Sequence, residues 1–135
     1  MKKTELKIRV AHRDTRQWEA ITSYSTSHVW EDGWVGTTGG MEITPPTWAR
    51  SVRIVGNKLQ HPEHLRLLAT VNAVQVRREI LALGHFVIDL PYTQGTGTLN
   101  VSFEASSSYV PAEVGINGDD LRNLSWIIVA VQAAR

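Results

Sequence analysis

The chain has 135 residues, 42% of them hydrophobic, with fourteen Lys and Arg against thirteen Asp and Glu. That length supports one compact domain with a single core, residues 1–135, and excludes two. A formal charge of +1 projects no overall field toward nucleic acid or an acidic membrane, so neither is expected as a partner. The absence of cysteine removes disulfides, thiolate nucleophiles, iron–sulfur clusters and thiolate zinc sites together.

The first sixteen residues hold six basic side chains (Lys2, Lys3, Lys7, Arg9, Arg13, Arg16) against Glu5 and Asp14, which reads as a solvated strand edge or arm. Leu6, Ile8 and Val10 alternate with Lys7 and Arg9, the period of a strand rather than of a secretory signal. The longest apolar run, Trp126 to Val131, has six residues and is far short of a membrane span. The expectation is a soluble, cytoplasmic protein.

Valine, isoleucine and threonine number thirty-five, and their stiff β-branched side chains favour a pleated surface. Period-two pieces recur at Val52–Ile54, Val71–Val76, Phe86–Leu90 and Leu99–Phe103. Turn chemistry falls at Glu31-Asp32-Gly33, Gly39-Gly40, Pro45-Pro46, Gly56-Asn57, Gly95-Thr96-Gly97 and Asn117-Gly118-Asp119. Residues 61–83 are the one helix candidate, with Pro62 and Glu63 at a helix start and Gly84 at its end. Leu65, Leu68, Val76 and Leu83, however, would fill the face opposite Leu67, Val71, Val74 and Leu81, leaving no polar stripe. Two strands with a turn near Asn72-Ala73, then a turn at Gly84-His85, explain the segment better. The fold class expected is therefore all-β, a jelly-roll-type antiparallel β-sandwich of eight to ten strands.

Five tryptophans are many for this length. Trp30, Trp34 and Trp48 fall in or beside loops, where an indole face can cover the C–H side of a sugar while Asp32 bonds its hydroxyls. Core packing competes with that role at each of them, and Trp18 and Trp126, in strand-like apolar contexts, are read as core. Glu113, Asn117, Asp119 and Asp120 gather oxygens at a density that suits Ca²⁺, but they fit no EF-hand spacing. Pairing of Asp119 or Asp120 with Arg122, fixing the loop before the last strand, accounts for them more simply. If that pair is substantially buried, Arg122→Ala melts well below the parent. His61 and His64 lack a third ligand and are read as surface residues, so no metal and no cofactor is implied. Gly-x-Ser-x-Gly is absent and Gly36–Gly40 lacks the phosphate-loop lysine, so catalysis has no support.

From about Val29 onward, Gly33-Trp34, Ala49–Gly56, His64–Leu67 with Thr70-Val71-Asn72, Phe86–Pro91 and Thr98–Phe103 follow one another, ending in Tyr109–Glu113, Gly118–Arg122 and Leu124-Ser125-Trp126. This order resembles carbohydrate-binding-module-like, galactose-binding-like β-sandwich domains associated with bacterial glycosyltransferases. The resemblance implies a jelly roll and a non-catalytic role beside glycan chemistry, with a glycan or sugar as ligand. A structural assembly subunit, such as a virion or appendage protein that uses its sandwich for protein contacts, is the alternative. Self-association is expected from Trp126–Val131. There Trp126, Ile128 and Ala130 would point one way and Ile127, Val129 and Val131 the other, so neither face suits water and a homo-oligomer would cover one.

Overall fold

The computed structural model describes residues 14–135, and over them the chain is all-β and antiparallel. Nine strands follow in order: β1 (Glu19–Ala20), β2 (Tyr24–Val29), β3 (Trp34–Ile43), β4 (Ser51–Lys58), β5 (Arg66–Val71), β6 (Val74–Ile80), β7 (Gly84–Leu90), β8 (Leu99–Ala105) and β9 (Trp126–Ala134). Hydrogen bonding runs β6-β5-β8-β3-β9-β4-β7, with β2 added on β3 and β1 on β9. The joint lies in β3. Its residues Thr38–Ile43 pair with β8, whereas Trp34 and Val35 pair with Ile127 and Trp126 of β9. One continuous sheet thus turns over into two facing layers, as the sandwich class requires. The strand read at Leu6–Val10 lies outside the described residues. Among the described residues no helix is long and apolar enough to cross a membrane.

The core follows from period-two patterning. In β8, Leu99, Val101 and Phe103 are buried while Asn100, Ser102 and Glu104 face water. Leu67, Ala69 and Val71 of β5 and Val52 and Ile54 of β4 join the same cluster from the two layers. Phe103 and Phe86 meet Trp126 with centroids at 5.0 and 5.5 Å, and each large apolar group so buried contributes about 1.5–3 kcal/mol. Trp126 is fully buried, as expected.

Several sequence expectations need correction. Trp18 is not core: it is half-buried outside the sandwich, its ring between the guanidinium groups of Arg53 at 4.0 Å and Arg16 at 4.7 Å, and its indole N–H donates to Asp14. The planar cations cover the indole in place of a hydrophobic layer. Strand β9 does not keep one phase either. Val55 pairs with Ala130 and Gly56 with Ile128, so Val129 is an extra, bulged residue. The bulge resets the alternation: Trp126 and Ile128 point inward, then Val131 and Ala133, while Val129 is half exposed and Ala130 only partly buried. The strand therefore has one inner face throughout, contrary to the two apolar faces expected.

Residues 61–83 are strand rather than helix. β5 and β6 form a hairpin turning at Asn72 and Ala73, both at positive φ (49° and 68°), but β6 runs on to Ile80 and the chain turns at 81–83, earlier than Gly84-His85. Gly39-Gly40 and Gly56-Asn57 are not turns but lie inside β3 and β4. Their glycines serve close approach. The Phe86 ring lies over Gly56 where a Cβ would be, with three of its ring carbons within 2.9 Å of that position.

Candidate functional site

The turn Glu31-Asp32-Gly33 between β2 and β3 and the connection from Ser106 to Ser125 meet at one end of the sandwich. Arg122 joins them. Its Nε and Nη2 donate to the two carboxylate oxygens of Asp120 at 3.0 and 2.9 Å, and its Nη1 donates to both oxygens of Asp32 at 3.0 Å. A planar guanidinium between two carboxylates is held in both position and orientation. The hydrogen bonds from Arg122 hold the Asp120 carboxyl below its usual range, and those carboxylates raise the guanidinium further above its already high value. The pairing expected for Asp120 is present. Arg122 is 29% exposed and Asp32 51%, however, so the lock is wetter than a buried pair.

Next to Arg122, consecutive residues line two different clefts. Asn123 faces one cleft with Trp30, and Leu124 faces another with Trp34. The second cleft, about 320 Å³, is the more aromatic. Trp34 meets Tyr109 edge-on at 6.0 Å, and His61 lies at 5.5 Å from Tyr109. The ring pair gains beyond its area of burial in this geometry. Leu59 and Ile116 add apolar surface, while Gln60, Asn117 and Asp120 bring amide and carboxylate groups to the same walls. Burial, with the Asp120 carboxylate nearby, raises the Tyr109 hydroxyl above its ordinary value, so it keeps its proton and remains a donor.

The four residues singled out from the sequence are thus distributed. Trp30, 38% exposed, lies over Gly36 with Arg122 at 5.4 Å from its ring centre. Asp32 is engaged by Arg122 and so braces the clefts. Trp34 lines the aromatic cleft. Trp48 lies beyond the far end of β3, half-buried against the core, with Arg135 at 4.5 Å over its ring, and is not brought to the others. Sequence reasoning assigned no site role to Tyr109 and read His61 as a surface residue. His61 is half-buried against Tyr109 rather than a free surface residue, whereas His64 is exposed. Tyr109 stood in the Tyr109–Glu113 segment that carried the resemblance, the only signal pointing to it. Among the described residues no cluster of three or more His, Asp or Glu is placed to hold a metal ion.

No family model and no curated protein matches the chain. Among solved structures it is similar in fold to an acetyl xylan esterase, Est2A, from the rumen bacterium Butyrivibrio proteoclasticus, with 13% identity and a TM-score of 0.54. The similarity covers 90% of this chain and 33% of that one, so the chain spans about a third of the esterase's length.

Proposed function

We propose that this chain is a non-catalytic carbohydrate-binding or accessory module that seats a sugar ring in the cleft of Trp34, Tyr109 and His61. The observation that carries this reading is the convergence of three rings, from the start of β3, the segment after β4 and the segment after β8, beside Gln60, Asn117 and Asp120. A pyranose presents C–H groups on its faces and hydroxyls around its rim, and a cleft with apolar rings and a few convergent polar groups matches both. The Asp32–Arg122–Asp120 lock holds the wall in place before ligand arrives, which lowers the ordering cost of binding. The esterase with a like fold carries carbohydrate chemistry in its name, which is consistent with a carbohydrate setting; the association with glycosyltransferases rests on the sequence resemblance alone.

A glycan array followed by titration calorimetry tests the reading. Binding should be lost in Trp34→Ala while circular dichroism stays that of the parent. Silence across a broad panel of neutral and charged glycans would remove the sugar reading in favour of a structural assembly role.

A further inference from the structure

On the Trp30 side, the outer face of β3 carries few side chains of its own. Successive outward positions are Gly36, Thr38, Gly40 and Glu42, and glycine at two of them leaves the strand at backbone level. Two depressions of about 300 and 500 Å³ lie along this line and adjoin at His28 and Thr38, which line both, and are taken together as one groove. From Gly36 to Glu42 it runs roughly 20 Å at about 3.3 Å per residue.

The register shows what lines it. Ser27 pairs with Gly40, Gly40 with Ser102, and Ser102 with Thr70, a row of hydroxyls crossing four strands with a gap at the glycine. The next row is Ser25, Glu42 and Asn100. A Cβ on Gly40 would lie 2.9 Å from the Ser27 hydroxyl, and one on Gly36 would lie 3.1 Å from the Asn123 carbonyl and 3.7 Å from the Trp30 ring. Either would fill the floor. Trp30 closes one end. The wall beside it is turned by a register shift between Ser27 and Val29, where His28 takes a left-handed φ of 55°, a conformation uncommon for a residue with a Cβ.

From this groove we infer that the module binds an extended, uncharged polysaccharide chain along β3, with the Trp34 cleft taking one sugar ring at the same end. This deepens the glycan reading and rests on it. The hydroxyls of Ser25, Ser27, Thr38 and Ser102 and the Asn100 amide can exchange hydrogen bonds with sugar hydroxyls along the groove. Among the described residues no Lys or Arg lines either depression and Glu42 does, so a nucleic acid or an acidic polysaccharide would meet a carboxylate on the groove wall.

Calorimetry with cello-, xylo- and manno-oligosaccharides, and oligogalacturonate as the acidic control, tests it on the full chain. The hexasaccharide of the preferred series should bind about tenfold or more tightly than its disaccharide. Ser102→Leu, which places an apolar side chain beside Gly40, and Trp30→Ala should each reduce hexasaccharide affinity to that of the disaccharide and leave disaccharide binding unchanged. Affinity independent of length, or a hexasaccharide indifferent to both substitutions, overturns the groove while Trp34-dependent disaccharide binding upholds the cleft. Preference for oligogalacturonate overturns the uncharged ligand, and no binding by any series overturns groove and cleft together.

Discussion

Gly33 is the position at which backbone geometry controls both clefts, and replacing it with alanine gives a quantitative test. It stands between Asp32 and Trp34 at φ +90°, and its carbonyl accepts the Ile128 N–H at 2.8 Å. A side chain here meets two costs. A Cβ in the left-handed region costs about 1–2 kcal/mol. It would also lie 2.6 Å from the Ile128 carbonyl oxygen, a backbone atom held by β9 that cannot rotate aside, and such overpacking costs about 1–3 kcal/mol. The sum is about 2–5 kcal/mol. Gly115 is the control: it too has positive φ, +77°, but nothing lies within 4 Å of the Cβ position, so alanine there meets only the first cost. At roughly 4 °C per kcal/mol for a domain of this size, Gly33→Ala should melt about 8–20 °C below the parent and Gly115→Ala about 4–8 °C below. Thermal unfolding followed by circular dichroism, with both variants scanned in parallel, provides the measurement. If the two melt together, the contact with β9 carries no energy and the turn is not what positions Trp34.

Two further outcomes follow from the lock and the bulge. Asp120 titrates below its usual 3.8 because Arg122 donates to it, so the stability it contributes is complete above that pH and is lost as pH falls through the lower folded value. Arg122→Ala should therefore melt below the parent at neutral pH, with the gap narrowing on acidification below 3.8; a gap that does not change with pH would assign the loss to packing on Trp30 instead. With the second apolar face of β9 absent, what remains exposed there is Val129 at the bulge beside Tyr24 and Trp30, and we propose that self-association centres on it. Light scattering at micromolar concentration should give a multiple of 15.1 kDa that Val129→Lys reduces, and a mass of 15.1 kDa at every concentration removes the idea.

The fold was legible where side-chain period and turn chemistry agree. Val52–Ile54, Phe86–Leu90 and Leu99–Phe103 alternate cleanly because each has one wet face, and all three lie within strands. Legibility fails at glycine. Within β3 and β4 the same residue that marks a turn by its conformational freedom marks a close approach by its missing side chain, and only the neighbour across the sheet tells the two apart. It fails again at Val129, since a bulge adds a residue without altering composition. Strand β2, Tyr24–Val29, was passed over because five of its six residues are exposed and carry no apolar alternation.

At the site, the sequence offered residue types but not their grouping. Trp30 and Trp34 are four apart and read as one platform, yet with the turn at Gly33 between them they line different clefts. Asp32 reads as a sugar ligand because it is a carboxylate between two tryptophans, and a partner ninety positions away engages it instead. Tyr109 and His61 are separated by β5 through β8, so no local pattern could place their rings 5.5 Å apart. The groove along β3 was hidden for the opposite reason: its signal is the absence of side chains at Gly36 and Gly40, which in one dimension is indistinguishable from a flexible loop. Binding surfaces made of what is missing become visible only when the flanking strands, here carrying Ser27 and Ser102, are set beside them.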